Sequence, residues 1–181
     1  MRWFLAFGLL FALTGFASAD DKGAPVTIDG LTSKAPGDWK EKPPASQMQF
    51  KVFALPKAEG DAADATLTIY FFGQGQGGDV KANVARWKGM FKAPAGKSID
   101  DIAKQDDFTV SGVKITRVDL NGTYLYKRTP MDTEVTEKPD HRMIGVVFES
   151  KGGNYYMRLV GPEKTVAKHA KGFEEWLKNF K

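Results

Sequence analysis

Between Thr66 and Phe91 the spacing of apolar residues changes from a period of two to a period of about 3.6. The first part alternates as a strand does, and one of its faces carries Leu67, Ile69 and Phe71. The second part recurs at helical spacing in Val80, Val84, Trp87 and Phe91. Asp79 precedes that stripe and is expected to cap the helix by accepting from its first free amides. The stretch therefore predicts a strand, a glycine-rich turn and an amphipathic helix.

N-terminal to this stretch, Gln47–Leu55 also alternates and predicts a strand. Its inward side chains are expected to be Met48, Phe50, Val52 and Ala54. The short connection to the strand at 66–72 favours antiparallel pairing. Residues 20–35 are small and polar, and they predict a loose N-terminal segment with room for a short strand at Val26–Ile28. An irregular, proline-rich arm follows, and its Trp39 is expected to be tucked onto the body of the domain.

C-terminal to the stretch, Phe108–Leu120 predicts two short strands hinged at Ser111-Gly112. Asn121-Gly122 is a hairpin signal, so Thr123–Tyr126 is expected to return as a separate strand. Residues 127–142 are charged and carry two prolines, which predicts an exposed, mobile loop.

The last third of the chain predicts a hairpin followed by a helix. Met143–Phe148 is apolar on both faces, as a central strand is, and a glycine turn joins it to Tyr155–Val160. Pro162 suits the first turn of a closing amphipathic helix. The outer face of that helix carries Lys164, Lys168, Lys171 and Lys178. Together the elements predict an α+β fold, with an antiparallel sheet of about six strands and two main helices in a single domain of residues 36–181.

The first 19 residues have the three parts of a secretory signal peptide. Arg2 gives the positive start, residues 3–16 the apolar run, and Ala17-Ser18-Ala19 the small-residue cleavage site. The run of about 14 residues is shorter than the roughly 20 that a membrane-spanning helix needs, so a retained anchor is the weaker alternative. Cleavage after Ala19 predicts a periplasmic or secreted protein, and no later segment is apolar enough to predict a membrane span.

The amino-acid composition limits the classes of functional site and partner that the chain can have. Cysteine is absent, which excludes thiol nucleophiles and thiolate metal sites. The formal net charge is only +4, and basic and acidic residues are interspersed, so no nucleic-acid partner is expected.

One motif suggests a nucleotide site. Gly73, Gly75 and Gly78 match G-x-G-x-x-G between a strand and a helix, where backbone amides and a helix N-terminus can hold a pyrophosphate. However, Asp79 places a carboxylate where the phosphate would lie, and no repeated strand–helix units follow. Glycines of a tight turn are the preferred interpretation, and no cofactor is expected.

The ionisable residues give no catalytic or metal constellation. His169 borders the lysine face of the last helix and is expected to be solvated. His141 has Glu137 and Asp140 nearby, but a flexible loop with one imidazole and two carboxylates is poorly preorganised for a metal. The acidic pairs Asp100-Asp101 and Asp106-Asp107 match no calcium-loop spacing.

Residues 36–91, 110–124 and 155–180 carry a resemblance to known proteins. An arm with Trp39, a turn at Gly75–Gly78 and a helix with Asn83, Arg86 and Trp87 resemble a family of secreted bacterial proteins that has no assigned activity. The order of elements is similar to the PsbP-like fold, whose members act mostly by binding proteins. The resemblance therefore implies binding rather than catalysis, and it transfers no catalytic residue.

These observations favour an exported, non-enzymatic module that binds another exported or envelope protein. The candidate contact surface comprises Trp39, Gly75, Gly77, Gly78, Asn83, Arg86, Tyr124 and Tyr126. The 127–141 loop is expected beside it, and contact of the lysine face with a membrane surface is a weaker possibility. The main alternative is a small-molecule or lipid binder with a pocket between the sheet and a helix, and an enzyme is the third hypothesis.

Overall fold

The protein is an antiparallel sheet with helices on both faces, in a computed structural model that describes residues 23–129 and 131–181. The strands are β1 (Pro25–Ile28), β2 (Leu31–Lys34), β3 (Lys40–Lys42), β4 (Gln49–Leu55), β5 (Ala65–Phe71), β6 (Phe91–Lys92), β7 (Lys104–Val110), β8 (Val113–Tyr126), β9 (Thr136–Ser150) and β10 (Gly153–Pro162). The helices are α1 (Val80–Lys88), α2 (Ile99–Ile102) and α3 (Glu163–Lys178). The predicted signal peptide lies outside the described residues.

The predicted α+β class is confirmed. β1 and β2 form a separate hairpin, and the other eight described strands form one sheet in the order β3-β4-β5-β10-β9-β8-β6, with β7 beside β8. That count exceeds the predicted six because β3 and β6 are too short to show a period in the sequence. The described helices are the two predicted ones and α2, a single turn with a capping box at Ser98.

The predicted strand, turn and helix at 66–91 form as expected. The Asp79 carboxylate accepts from the Ala82 amide at 2.7 Å and so caps α1. At the other end the Gly89 amide donates to the Ala85 carbonyl. α1 buries Val84 and Trp87 against β8 and β9, and this contact fixes the helix across one face of the sheet, here called the α1 face.

The opposite face, here called the α3 face, is the larger core. It is covered by α3 and the β1–β2 hairpin, and it contains Phe53, Leu67, Met157, Phe148 and Trp176, all at most 2 % exposed. Strand alternation places the neighbours of these residues on the α1 face, where β9 carries Met143 and Val147 and is therefore apolar on both sides.

Two N-terminal expectations are corrected. Residues 23–35 are not loose, because the hairpin places Val26 and Ile28 fully inside the core. In β4 the inward residues are Phe53 and Leu55, whereas the predicted Met48 and Phe50 are exposed. The cause is a bulge between Gln49 and Lys51, which shifts the phase of the alternation by one residue.

The hairpin predicted at Asn121-Gly122 is also wrong. β8 runs without reversal from Val113 to Tyr126, and Gly122 pairs with His141 beside a second bulge. The loop predicted at residues 127–142 is shorter in the structure, because β9 already begins at Thr136. The hinge at Ser111-Gly112, the central strand 143–148 and the closing helix are confirmed.

Candidate functional site

α1 divides its face of the sheet into two parts. The flank with Lys81, Ala85 and Lys88 faces β7 and β8 across a groove. Helical geometry places Asn83, Arg86 and Met90 on the opposite flank, towards β10 and β5. On that side the described residues place no helix over β3, β4, β5 and β10, and we call this part of the α1 face the open face.

Arg158 lies at the centre of the open face. Its strand neighbours are Thr68 on β5 and Gly145 on β9, so no acidic side chain stands directly opposite it. The guanidinium lies 4.8 Å from the centre of the Tyr70 ring and donates to the Tyr70 hydroxyl. It also contacts the Met90 sulfur at 3.4 Å, which ties the end of α1 to the sheet.

Aromatic rings surround this arginine. Tyr70 stacks with Phe72 at 6.1 Å between centroids, and Tyr124 lies 6.3 Å from Tyr126. Burial raises the pKa of Tyr124, an effect that the charge of Arg158 opposes and that Tyr70 and Tyr126 reinforce. Arg158, Tyr70 and Tyr126 therefore all lie close enough to Tyr124 to influence its ionisation.

Among the described strands, β3, β4, β5 and β10 contribute no acidic side chain to the open face. On β9 the same side of the sheet carries Glu149, which pairs with Lys114 beside the α1 groove. Register and alternation direct these residues to that side: Lys40, Lys42, Gln49, Val52, Ala54, Thr66, Thr68, Tyr70, Tyr124, Tyr126, Thr136, Lys138, His141, Arg158 and Val160. Four of them are cations, because Lys40, Lys42, Lys138 and Arg158 are charged at neutral pH. Lys138 packs over the Tyr126 ring at 4.1 Å.

The described arginines fall into two groups. Arg117 pairs with Asp106 and Glu174, Arg128 with Asp132, and Arg142 with Asp119. Arg86 and Arg158, by contrast, have no carboxylate within 4.0 Å among the described residues. Arg158 lies within the open face and Arg86 at its edge, so the arginine charge that lacks a carboxylate partner is concentrated there.

The predicted contact residues separate in space. Trp39 is a correction, because it is 6 % exposed and packs on the α3 face against Phe53 and Trp176, at 6.0 and 5.7 Å between centroids. Trp39 therefore packs against the body of the domain as predicted, but it is buried in the core and is not available as a contact residue. Tyr124 and Tyr126 are neighbours on β8, and Arg86 lies on α1 at the edge of the open face.

The glycine turn at residues 73–78 is held in place by side chains of the sheet and of α1. Gly73, Gly75, Gly77 and Gly78 all have positive φ, which side chains other than glycine avoid. The Tyr156 hydroxyl donates to the Gly78 carbonyl at 2.6 Å, and the Asn83 amide donates to the Gly77 and Asp79 carbonyls at 2.9 Å each. Asn83 is 2 % exposed, so it braces the turn and is not a contact residue.

His169 is a second correction, since it is 5 % exposed rather than solvated. Its Nε2 lies 2.8 Å from the Pro56 carbonyl, and this bond fixes the loop before β5 onto α3. His141 stacks beside Tyr124 at 6.2 Å. In the part of the chain that the structure describes, no three acidic or imidazole side chains converge as metal ligands would.

The groove on the other flank of α1 has a volume of about 420 Å³. Its walls are Val80, Val84 and Ala85 on the helix and Gln105 and Thr116 on the sheet. The Thr116 hydroxyl is buried and has no hydrogen-bond partner among the described residues. Most buried polar side-chain atoms in proteins have at least one hydrogen-bond partner, so this hydroxyl is an exception.

Sequence reasoning missed Tyr70 and Arg158. Alternation places Tyr70 on the side of the predicted strand opposite Leu67, Ile69 and Phe71, and this pattern alone indicates no functional role. Arg158 is the one charged residue in the otherwise apolar segment Tyr155–Val160. A lone charge in a central strand is uncommon in a core, and that signal points to a functional role more directly than the glycine motif does.

Comparison with known proteins identifies the fold. No protein-family model and no curated protein matches the chain. CyanoP, the cyanobacterial PsbP of Synechocystis, is similar over 91% of this chain and 95% of its own, with a TM-score of 0.52 and 13% identity. The fold is PsbP-like. A protein of unknown function from Pseudomonas aeruginosa, PA94, is similar over 86% of this chain and 94% of its own, with a TM-score of 0.47 and 14% identity.

At these identities the likeness shows the fold and carries no site. The resemblance to secreted bacterial proteins has no matching family model and stays a prediction. Across residues 23–129 and 131–181, none of the helices combines the length and apolar character needed to cross a bilayer.

Proposed function

We propose that this protein is an exported, non-enzymatic binding module that engages an envelope or secreted protein through the open face. Export rests on the signal-peptide pattern of residues 1–19. The observation that supports the binding surface is the pair Arg158, within the open face, and Arg86, at its edge, because neither has a carboxylate partner among the described residues.

Energetics favour an external partner for Arg158. Its half-buried guanidinium loses part of its hydration, and a carboxylate partner normally offsets that cost, whereas Arg86 is exposed and donates to the Asn83 side chain at 3.0 Å. Three other arginines of this chain have such partners, so the chain does not lack acidic residues to supply them. Arginine and tyrosine are also the residue types that dominate binding energy at protein interfaces. A partner with an acidic surface satisfies both the charge and the aromatic area.

Site-specific photocrosslinking in the producing cell tests this proposal. A photoreactive amino acid replaces Thr66, which is exposed on the open face, and in a control chain it replaces Lys171 on the outer side of α3. We expect a discrete protein adduct from position 66 and none from position 171. We also expect the adduct to disappear in the double variant R86Q/R158Q. Adducts of equal yield from both positions, or an adduct that the arginine variant leaves unchanged, would show that the open face is not the contact surface.

A small-molecule binder is the second candidate. The groove between α1 and the β7–β8 strands falls within the 300–1,000 Å³ typical of ligand sites. The unpartnered Thr116 hydroxyl favours a ligand that supplies a hydrogen bond there. Native mass spectrometry of the protein purified from its own cell checks this: a bound small molecule that Thr116→Val removes would favour the groove over the open face.

A further inference from the structure

We propose that the open face recognises carboxylates, and that its ligand is an acidic polypeptide segment which places an aspartate or glutamate side chain on Arg158. This inference rests on the binding surface proposed above and names its ligand chemistry.

The donors of Arg158 are only partly used. A guanidinium has five N–H groups in a fixed fork. One donates to the Tyr70 hydroxyl and one to the Met90 sulfur, which leaves three for a ligand. The two contacts hold the guanidinium in one orientation, so little side-chain entropy remains to be lost on binding. A carboxylate can accept two of the remaining donors in parallel.

The surroundings favour a carboxylate on a short apolar stem. Tyr70, Met90 and Val160 provide apolar area next to the charge, and each is half-buried. The methylene groups of an aspartate or glutamate can pack on that area while the carboxylate meets the arginine. Lys40 and Lys42 lie exposed on β3 at the far side of the face, and they extend the positive surface along an acidic segment.

Phosphate fits this surface less well. Phosphate sites in proteins commonly use converging backbone amides at a helix N-terminus. Here the N-terminus of α1 is occupied by the Asp79 carboxylate, which accepts from Ala82. It also lies at the end of α1 opposite Met90, the residue that contacts Arg158. The open face therefore offers the planar guanidinium of Arg158 next to the Tyr70 ring, and it does not offer the converging backbone amides that commonly bind a tetrahedral anion.

Titration calorimetry of the purified protein with synthetic peptides tests the ligand class. One peptide is rich in glutamate and amidated at its C-terminus, a second has glutamine at the same positions, and a third is the glutamine peptide with a free C-terminus. Inorganic phosphate is the fourth probe. We expect the glutamate peptide to bind and the amidated glutamine peptide not to bind, with an affinity that falls as salt is added. Binding of the free-terminus peptide alone would overturn the assignment to an acidic side chain, because the carboxylate recognised would then be that of a chain end.

Variants connect the affinity to the site. R158Q is expected to weaken glutamate-peptide binding about tenfold or more, since it removes one partner of a close charge pair. R158K keeps the charge but loses the fork, and we expect it to recover only part of the affinity. K171Q removes the same charge from the far side of α3 and should leave binding unchanged. Thermal unfolding followed by circular dichroism verifies that each variant is folded.

Four further results would overturn the inference. They are equal binding of the amidated glutamine and glutamate peptides, unchanged affinity in R158Q, inorganic phosphate as the only saturable ligand, and the absence of saturable binding by any carboxylate peptide up to about 1 mM. If such a failure accompanied a protein adduct from position 66, the open face would still be the binding surface, but its partner would be recognised by other chemistry.

Discussion

Replacing Gly77 by alanine tests whether the glycine turn exists for packing. Gly77 has φ +88°, and a Cβ there would lie 2.6 Å from Tyr156 Cε2 and 2.7 Å from Phe72 Cδ2. Gly75 is the matched control, because it has φ +69° and a Cβ there meets no atom within 4 Å. Both substitutions carry a left-handed backbone penalty of about 1–2 kcal/mol, and both gain about 0.4–1 kcal/mol from a less flexible unfolded chain.

These two effects cancel when the variants are compared with each other. What remains is the cost of forcing two rings apart, about 1–3 kcal/mol for overpacking. We therefore expect G77A to be less stable than G75A by that amount. For a domain of this size the difference corresponds to roughly 2–12 °C in midpoint temperature.

Urea denaturation followed by circular dichroism measures the difference directly. Both variants should unfold with the slope of the unmodified protein, so that a change in midpoint reports stability alone. Equal destabilisation of G75A and G77A would refute the reasoning, because it would mean that the contact with Tyr156 and Phe72 costs nothing. The turn would then need another explanation for its glycine at position 77.

The remaining predictions concern the core and one surface carboxylate. Trp39→Ala is expected to cost about 3–5 kcal/mol in denaturation experiments, as for a buried aromatic residue, whereas a surface tryptophan would cost less than about 0.5 kcal/mol. Gly145→Ala should destabilise by about 1–3 kcal/mol because its Cβ would lie 2.5 Å from Trp87 Cε3. Gly172→Ala, in α3 with only Pro36 Cγ nearby at 3.7 Å, should instead stabilise by up to about 1 kcal/mol. A hydrogen bond from Lys178, and then one from Arg117, lowers the pKa of Glu174 below 4.5. Its stabilising effect is thus present above pH 4.5 and is lost as the pH falls through the lowered pKa. E174Q should therefore be less stable than the unmodified protein at neutral pH and equally stable in acid, and a difference that persisted in acid would contradict this assignment.

Much of the fold could be predicted because local patterns and tertiary contacts agree in most elements. The helix after Asp79 has a cap and an apolar stripe, and both are used as expected. Met143–Phe148 is apolar on both faces because α1 and α3 cover opposite sides of β9. In such segments each level of structure supports the same conclusion.

The wrong predictions occur where one residue pattern is compatible with two different local structures. In β4 every residue from Val52 to Leu55 is apolar, so the alternation alone does not tell which set faces the larger core. One bulged residue decides it. At Asn121-Gly122 the residues suit a tight hairpin, but a Cβ on Gly122 would lie 2.6 Å from the Lys92 carbonyl oxygen. Close approach of β6 therefore accounts for this glycine, and that contact is invisible in the sequence.

Strand register decides which residues meet on the open face, and register cannot be deduced from the amino-acid composition. Arg117 and Arg158 are both arginines in the middle of long strands. The register places Asp106 directly opposite Arg117, and it places Thr68 and Gly145 opposite Arg158. A shift of one residue would direct Arg158 into the α3 core, where an unpaired charge is not tolerated. The same pairing that keeps the core apolar thus leaves this guanidinium on an uncovered surface with no carboxylate partner among the described residues. The proposed role of Arg158 in recognition rests on that placement.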